Sequence, residues 1–304
     1  MAFSDSEISN EQNKISMIMK RNIWHKLLPG AGILAAVALL SACQKMDQPA
    51  LGDYPKDANP PGGPLKFYVA FDGTTANPLM NAVDSIKASF ASDNPFTTVD
   101  GVSGKALQGV NKKYIKYAKP NDWASKAESF SISFWYKKDG QTKNNTGGNG
   151  PEHVMSFKAN NGHWSGSSML LFLEGNNSAC AVKVMIADKK VADNWFTWEG
   201  GNTIAGLLDN KWHHLVLTYN AANSTMTLFV DGLANPNTRS WGTHGPIGFD
   251  EGAISEMRVG AGPSNGFDSD DWLAGSFKGS LDQIRMYTSV LSTSEISALY
   301  TGKK

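Results

Sequence analysis

Between residues 211 and 232 the chain reads KWHHLVLTYNAANSTMTLFVDG, and apolar side chains recur there at every second position. Leu215, Leu217 and Tyr219 form one series; Met226, Leu228 and Val230 form a second. A period of two puts each series on the buried face of a strand, so the stretch predicts a hairpin with its turn at residues 220–224. The second strand closes at Asp231-Gly232, where glycine accepts the positive φ that a chain reversal often needs. Residues 129–137 repeat the pattern, with Phe130, Ile132, Phe134 and Tyr136 on one face and Ser129, Ser131, Ser133 and Trp135 on the other. Short alternating segments at 66–71, 114–117, 154–158, 169–173, 182–186, 256–259 and 280–287 predict further strands. Helical spacing is clear only at the end, where Ser292 and Glu295 form a Ser-x-x-Glu capping box ahead of Ile296, Leu299 and Tyr300. Strands with one apolar face need a second sheet to cover it. This many of them predict an all-β, two-sheet antiparallel jelly-roll sandwich with one short C-terminal helix, larger than an immunoglobulin sandwich of ~100 residues.

The N-terminal part follows another pattern. From Met17 a basic segment leads into an apolar run at 27–40, followed by a cysteine. That run is shorter than the ~20 residues that span a bilayer as a helix, so residues 1–42 read as an export signal. Residues 1–16 are polar and precede the basic segment, which places the expected start of translation at Met17 or Met19. Leu40-Ser41-Ala42-Cys43 resembles a bacterial lipobox, which makes Cys43 the expected lipidation site. The expected product is a membrane-anchored lipoprotein of the bacterial cell envelope, at the outer membrane. Residues 43–64 are rich in Pro, Asp and Gly and form a tether, because so few apolar groups cannot offset the entropy of ordering. Residues 65–304 then form one domain.

Composition narrows the partners. The 28 basic and 28 acidic residues balance, and no basic cluster occurs outside the signal, which argues against nucleic acid. With Cys43 lipidated, Cys180 is the one remaining cysteine, so no internal disulfide is expected. Its apolar surroundings predict a small buried hydrophobe.

Four passages, in order, resemble the laminin-G-like, concanavalin A-like domains of bacterial surface proteins. They are GVSGKAL at 101–107, the strand at 130–135, the Trp-His-His to Val-Asp-Gly hairpin, and FKGSLDQIRMYTSVLSTSEISALYTG at 277–302. The resemblance implies that the first and last strands pair, joining 66–71 to 280–287. It also implies a structural calcium ion at that edge, held by Asp72 and Asp282 with backbone carbonyls near Gly101 and Gly104. The Asn/Gly-rich insertion at 140–151 and the region 188–208 depart from the family pattern.

Hydrolases on this fold place carboxylates at alternate positions of one strand. No strand here does so: Glu128, Glu152, Glu174, Glu199, Glu251 and Glu256 stand singly, and most read as loop residues. His213 and His214 are adjacent, point to opposite faces and cannot grip one metal together. One reads as an inner-face residue and the other as a hydrogen-bonding residue outside. Asp268, Asp270 and Asp271 read as a solvated loop. The candidate ligand residues are tryptophans set among Gly, Asn, Ser and Asp: Trp164, Trp195, Trp198 and Trp241, with Trp272 in similar surroundings. Indoles stack on the C–H faces of sugars while Asn and Asp take the hydroxyls. The expectation is therefore a carbohydrate-binding protein, not an enzyme, with a protein-protein adhesion module as the alternative and a glycan hydrolase or lyase third.

Overall fold

The computed structural model describes residues 62–72, 79, 81–83, 89–90, 97–120, 122–189, 193–267 and 270–303. The export signal, Cys43, most of the tether and Asp268 lie outside them. In chain order the strands are β1 (Leu65–Val69), β2 (Ser89–Phe90), β3 (Thr97–Asp100), β4 (Lys105–Gln108), β5 (Ile115–Tyr117), β6 (Phe130–Asp139), β7 (Glu152–Ala159) and β8 (Ser167–Asn176). They continue with β9 (Ala179–Ile186), β10 (Asn194–Trp198), β11 (Asp209–Asn220), β12 (Thr225–Val230), β13 (Leu233–Ala234), β14 (Arg239–Ser240), β15 (Ile254–Val259) and β16 (Ser280–Tyr287). Two α-helices, α1 (Trp123–Lys126) and α2 (Thr293–Gly302), and short 3₁₀ turns at Gly200–Asn202, Glu251–Ala253 and Trp272–Ala274 complete the described elements.

The first sheet runs β13-β12-β11-β6-β16-β4-β3, with β1 also paired to β16 and β14 to β12. The second runs β10-β9-β8-β7-β15-β5-β2. The described pairings are antiparallel, and the first and last strands meet with Leu65 opposite Tyr287, as the family resemblance implied. Between the sheets lies the main core, to which Phe130, Ile132, Phe134 and Tyr136 contribute from one side and Met169, Leu171 and Leu173 from the other. Cys180 is buried there, and burial pushes its thiol up to about 12, which fits an inert apolar role.

The polar-looking face of β6 is not solvated. Ser131, Ser133 and Trp135 are buried because α2 and the segment before it fold over that face. Ser131 Oγ donates to the Ser289 carbonyl and accepts from Leu291 N–H, and Trp135 stacks on Tyr300 at 5.6 Å. The capping box forms as predicted, with Ser292 and Glu295 bonding reciprocally, and it fixes where α2 begins.

The hairpin motif acquires a cause. Asp231 and Gly232 both take positive φ, at 51° and 81°. This turns the Asp231 carboxylate back onto β11, where Oδ1 accepts from His214 N–H at 2.8 Å and Oδ2 meets His213 Nδ1 at 2.9 Å. A side chain at Gly232 would press on the Tyr300 ring at 3.0 Å, so the glycine also lets α2 lie close. His213 stays at the inner edge beside Tyr136, held by Asp231 and Asp209. His214 is buried outside under α2, with Nε2 2.8 Å from Ser133 Oγ.

Candidate functional site

The outer face of the second sheet carries an apolar cluster that the two-sheet core does not need. Alternation on β10 explains it: Phe196 and Trp198 enter the core, while Trp195 and Thr197 face outward. Phe172 and Glu174 on β8 and Lys183 on β9 lie on the same outer face. Trp272 arrives from a different direction, on a 3₁₀ turn at Trp272–Ala274. Phe172, Trp195 and Trp272 form a triangle, with ring centroids 5.7 to 6.2 Å apart. Together with Pro151, Glu174, Lys183, Thr197 and Glu199 they line a cleft of about 320 Å³. That lies at the small end of the ~300–1,000 Å³ typical of ligand pockets.

The cleft's polar wall is a three-residue ion cluster. Lys183 Nζ is 2.9 Å from Glu174 Oε2 and 2.7 Å from Glu199 Oε2. The lysine's hydrogen bond and charge hold the Glu199 carboxyl below its usual range, opposite to what a general acid needs. Two carboxylates from separate parts of the chain thus meet around one ammonium, although each reads singly in the sequence. Glu152 and Glu174 lie on strands, contrary to the loop expectation, and Glu256 lies on the strand expected at 256–259.

Several buried groups hold the Trp272 turn against the sheet. His153 Nε2 donates to the Trp272 carbonyl at 3.1 Å, Ser156 Oγ donates to the Ala261 carbonyl, and Arg258 donates to the carbonyls of Gly262 and Ser264. Burial lowers His153 to about 4, so near neutrality it is uncharged and carries its proton on Nε2. The Asn/Gly-rich insertion belongs to this scaffold: Asn145 donates to the Ala274 carbonyl and accepts from Ser276 N–H. Asp270 bonds Asn144 and Thr146, and Asp271 accepts from Leu273 N–H. Both are exposed loop residues, as expected, and their hydrogen bonds also tie the turn down.

Of the candidate tryptophans, Trp164 and Trp195 join Trp272, and Trp198 and Trp241 do not. Trp164 is 60% exposed, 6.0 Å from Trp272, and its Nε1 donates to Asp193. His163 steadies that loop, with Nδ1 2.7 Å from Ser165 Oγ and Nε2 3.3 Å from Asp193 Oδ2. The Ser165 side chain is buried and shares its hydroxyl bond with Ser167, so this Ser-His-Asp chain serves the loop. Trp198 is fully buried, with Nε1 bonded to the Asn237 carbonyl, because it is three residues from Trp195 and hence on the other face. Trp241 is half-buried at the end of the main core, stacked on His244 at 3.7 Å. Phe172, Lys183 and Thr197 were missed; their signal was the outward position in strands whose two faces both read as apolar.

The expected cation residues do come together. Asp72 Oδ1 accepts from Lys105 N–H at 2.5 Å, and Asp282 Oδ2 accepts from Val102 N–H at 2.8 Å, so both carboxyls face the turn at 101–105. Asp282 Oδ1 is buried with no hydrogen-bond partner. Burial above all, with the nearby Asp72 charge adding to it, raises Asp282 to about 7. Gly101 and Gly104 give these carboxyls clearance, since a Cβ at either would collide with them. The Gly104 carbonyl accepts from Gly101 N–H at 3.0 Å. Among the described residues no three His, Cys, Asp or Glu side chains gather as a metal cage.

The two antiparallel sheets agree with what the chain resembles among known proteins. The model of the concanavalin A-like lectin/glucanases superfamily matches residues 110–297. The chain belongs to this superfamily. A comparison with the curated proteins returned no match. Among solved structures, domain 4 of AbnA, a GH43 extracellular arabinanase from Geobacillus stearothermophilus, in complex with arabinotriose, is similar at 16% identity and a TM-score of 0.52. That likeness covers 78% of this chain and 98% of that one. The binding domain of botulinum neurotoxin DC in complex with SialylT is similar at 13% identity and a TM-score of 0.53, covering 79% of this chain and 52% of that one. The same domain in complex with rat synaptotagmin II matches at 11% identity and a TM-score of 0.51, with 79% and 52% covered. This chain spans about half the length of those neurotoxin domains. At such identities the likeness shows the fold.

Proposed function

We propose that the chain is a carbohydrate-binding protein, and that its glycan docks on the cleft formed by Phe172, Trp195 and Trp272. The observation that carries this reading is the aromatic triangle beside a charged polar wall on the outer sheet face. Aromatic rings receive the C–H face of a sugar, and Glu174, Lys183, Thr197 and Glu199 supply acceptors and donors for its hydroxyls. Neighbours in complex with arabinotriose and SialylT support the class of ligand. Through Cys43 the protein is lipid-anchored in the bacterial cell envelope, and the tether lets the domain stand off from the membrane. The test is a glycan array with the purified chain, comparing wild type with Trp195→Ala and Trp272→Ala. Loss of a central aromatic should weaken binding by ~10-fold or more. Equal binding by all three proteins, or no glycan bound, overturns the reading and turns attention to a protein partner, as in the synaptotagmin complex of a neighbour.

A calcium ion at the strand edge is part of this reading. Asp72 and Asp282 would hold it, and the unpartnered buried oxygen of Asp282 is the observation that fits a cation. Its charge would stabilise the ionised form of Asp282, and its role would be structural.

A further inference from the structure

We infer that the cleft selects neutral glycans and rejects those carrying a carboxylate; this rests on the reading of the cleft as a glycan site. The lining contains three charged side chains, Glu174, Lys183 and Glu199, with a net charge of −1. An ammonium has three N–H donors, and Lys183 commits two of them to carboxylates at 2.9 and 2.7 Å. Its charge is therefore compensated twice before any ligand arrives. A sugar carboxylate entering the cleft meets two like charges and a lysine with one donor left. The next cation, Arg239, does not line the cleft: it lies over the Trp198 ring at 5.4 Å and donates to the Thr197 carbonyl. Its charge favours the ionised form of Glu199.

A neutral sugar meets no such repulsion. Each carboxylate has a second oxygen with which to accept a hydroxyl, Lys183 has its third N–H, and the aromatic rings take the apolar face of the ring. The cluster is also not required by the fold. The Glu174 and Glu199 side chains are 40% and 49% exposed, and ion pairs at that exposure add little stability. Two half-exposed carboxylates around an aromatic cleft are better explained by what enters the cleft.

The geometry names the variant that should invert the preference. Glu174→Gln with Glu199→Gln keeps side-chain size and hydrogen-bonding capacity and changes the lining from −1 to +1, leaving Lys183 free to pair with an anion. The purified full chain and this double variant are titrated with two sets of probes. The neutral set is arabino-, xylo- and manno-oligosaccharides; the acidic set is oligogalacturonate and sialyllactose. Wild type is expected to bind a neutral probe and to bind the acidic ones at least ~10-fold more weakly, with the discrimination shrinking as salt rises. The double variant should gain ~10-fold or more for an acidic probe while its melting temperature stays near that of wild type. Acidic probes bound by wild type as tightly as neutral ones, with loss in Trp195→Ala, overturn the selectivity and leave the glycan site standing. An unchanged acidic-to-neutral ratio in the double variant has the same meaning. No binding of either set overturns both.

Discussion

Replacing Asp282 by asparagine tests how the strand edge is stabilised. The carboxyl is fully buried, and its pKa is raised to about 7 from an ordinary 3.8. The folded chain thus keeps this proton to higher pH than the unfolded chain does. Without a cation, the fold is least penalised below 3.8 and loses stability as pH rises toward about 7. A difference of about three pH units between the folded and unfolded chains corresponds to ~4 kcal/mol at pH 8. In a domain of this size each 1 kcal/mol moves the melting temperature by ~2–4 °C, so the loss amounts to ~8–16 °C. In the Asp282→Asn variant the new amide keeps an oxygen for Val102 N–H and cannot ionise. In chelator, thermal melts between pH 4 and 9 should show wild type falling across this window and Asp282→Asn lacking that fall. Added calcium should restore wild type at pH 8 and leave the variant unmoved. Parallel pH profiles in chelator would refute the electrostatic reasoning, and an equal calcium response in both proteins would refute the cation site.

Other outcomes follow from burial. Trp198→Ala should cost ~3–5 kcal/mol in urea unfolding because it empties core volume, whereas the mostly exposed Trp164→Ala should stay within ~0.5 kcal/mol. Equal losses would contradict the burial assigned to these two residues. His153 and His214 are held near 4 by burial, against an ordinary 6.5. Their contribution is complete above about 6.5 and lost as pH falls toward 4, so His153→Gln and His214→Gln should each flatten the acid limb by about one proton. Tyr300→Ala should loosen α2 over Trp135, costing ~1–3 kcal/mol and shifting tryptophan fluorescence to the red. An unchanged spectrum would mean that α2 does not seal that face.

The sandwich was legible in the sequence because its strands announce themselves locally. A period of two in 130–136 and 215–230 is a statement about neighbouring residues, and so is the Ser292 to Glu295 capping box; each recurs in the structure. The pairing of first and last strands came from the family resemblance, which supplied the long-range information that periodicity lacks. The site was legible only in part. Composition marked Trp164, Trp195 and Trp272 as unusual, but Trp198 has equally polar surroundings and is buried, because one register position decides which face a side chain takes. The strand β10, in the region that matched no pattern, is what presents Trp195.

By itself the sequence determined most of the longer strands, their apolar faces toward the core and where the last helix begins, since those depend on backbone geometry over a few residues. Tertiary structure alone decided that Glu174 and Glu199 close around the Lys183 ammonium, from three places in the chain, beside three aromatic rings. It alone decided that Asp282 loses its water and that the serine face of β6 lies under a helix. Proximity between residues far apart in sequence is set by sheet order and loop packing, and local patterns do not carry it.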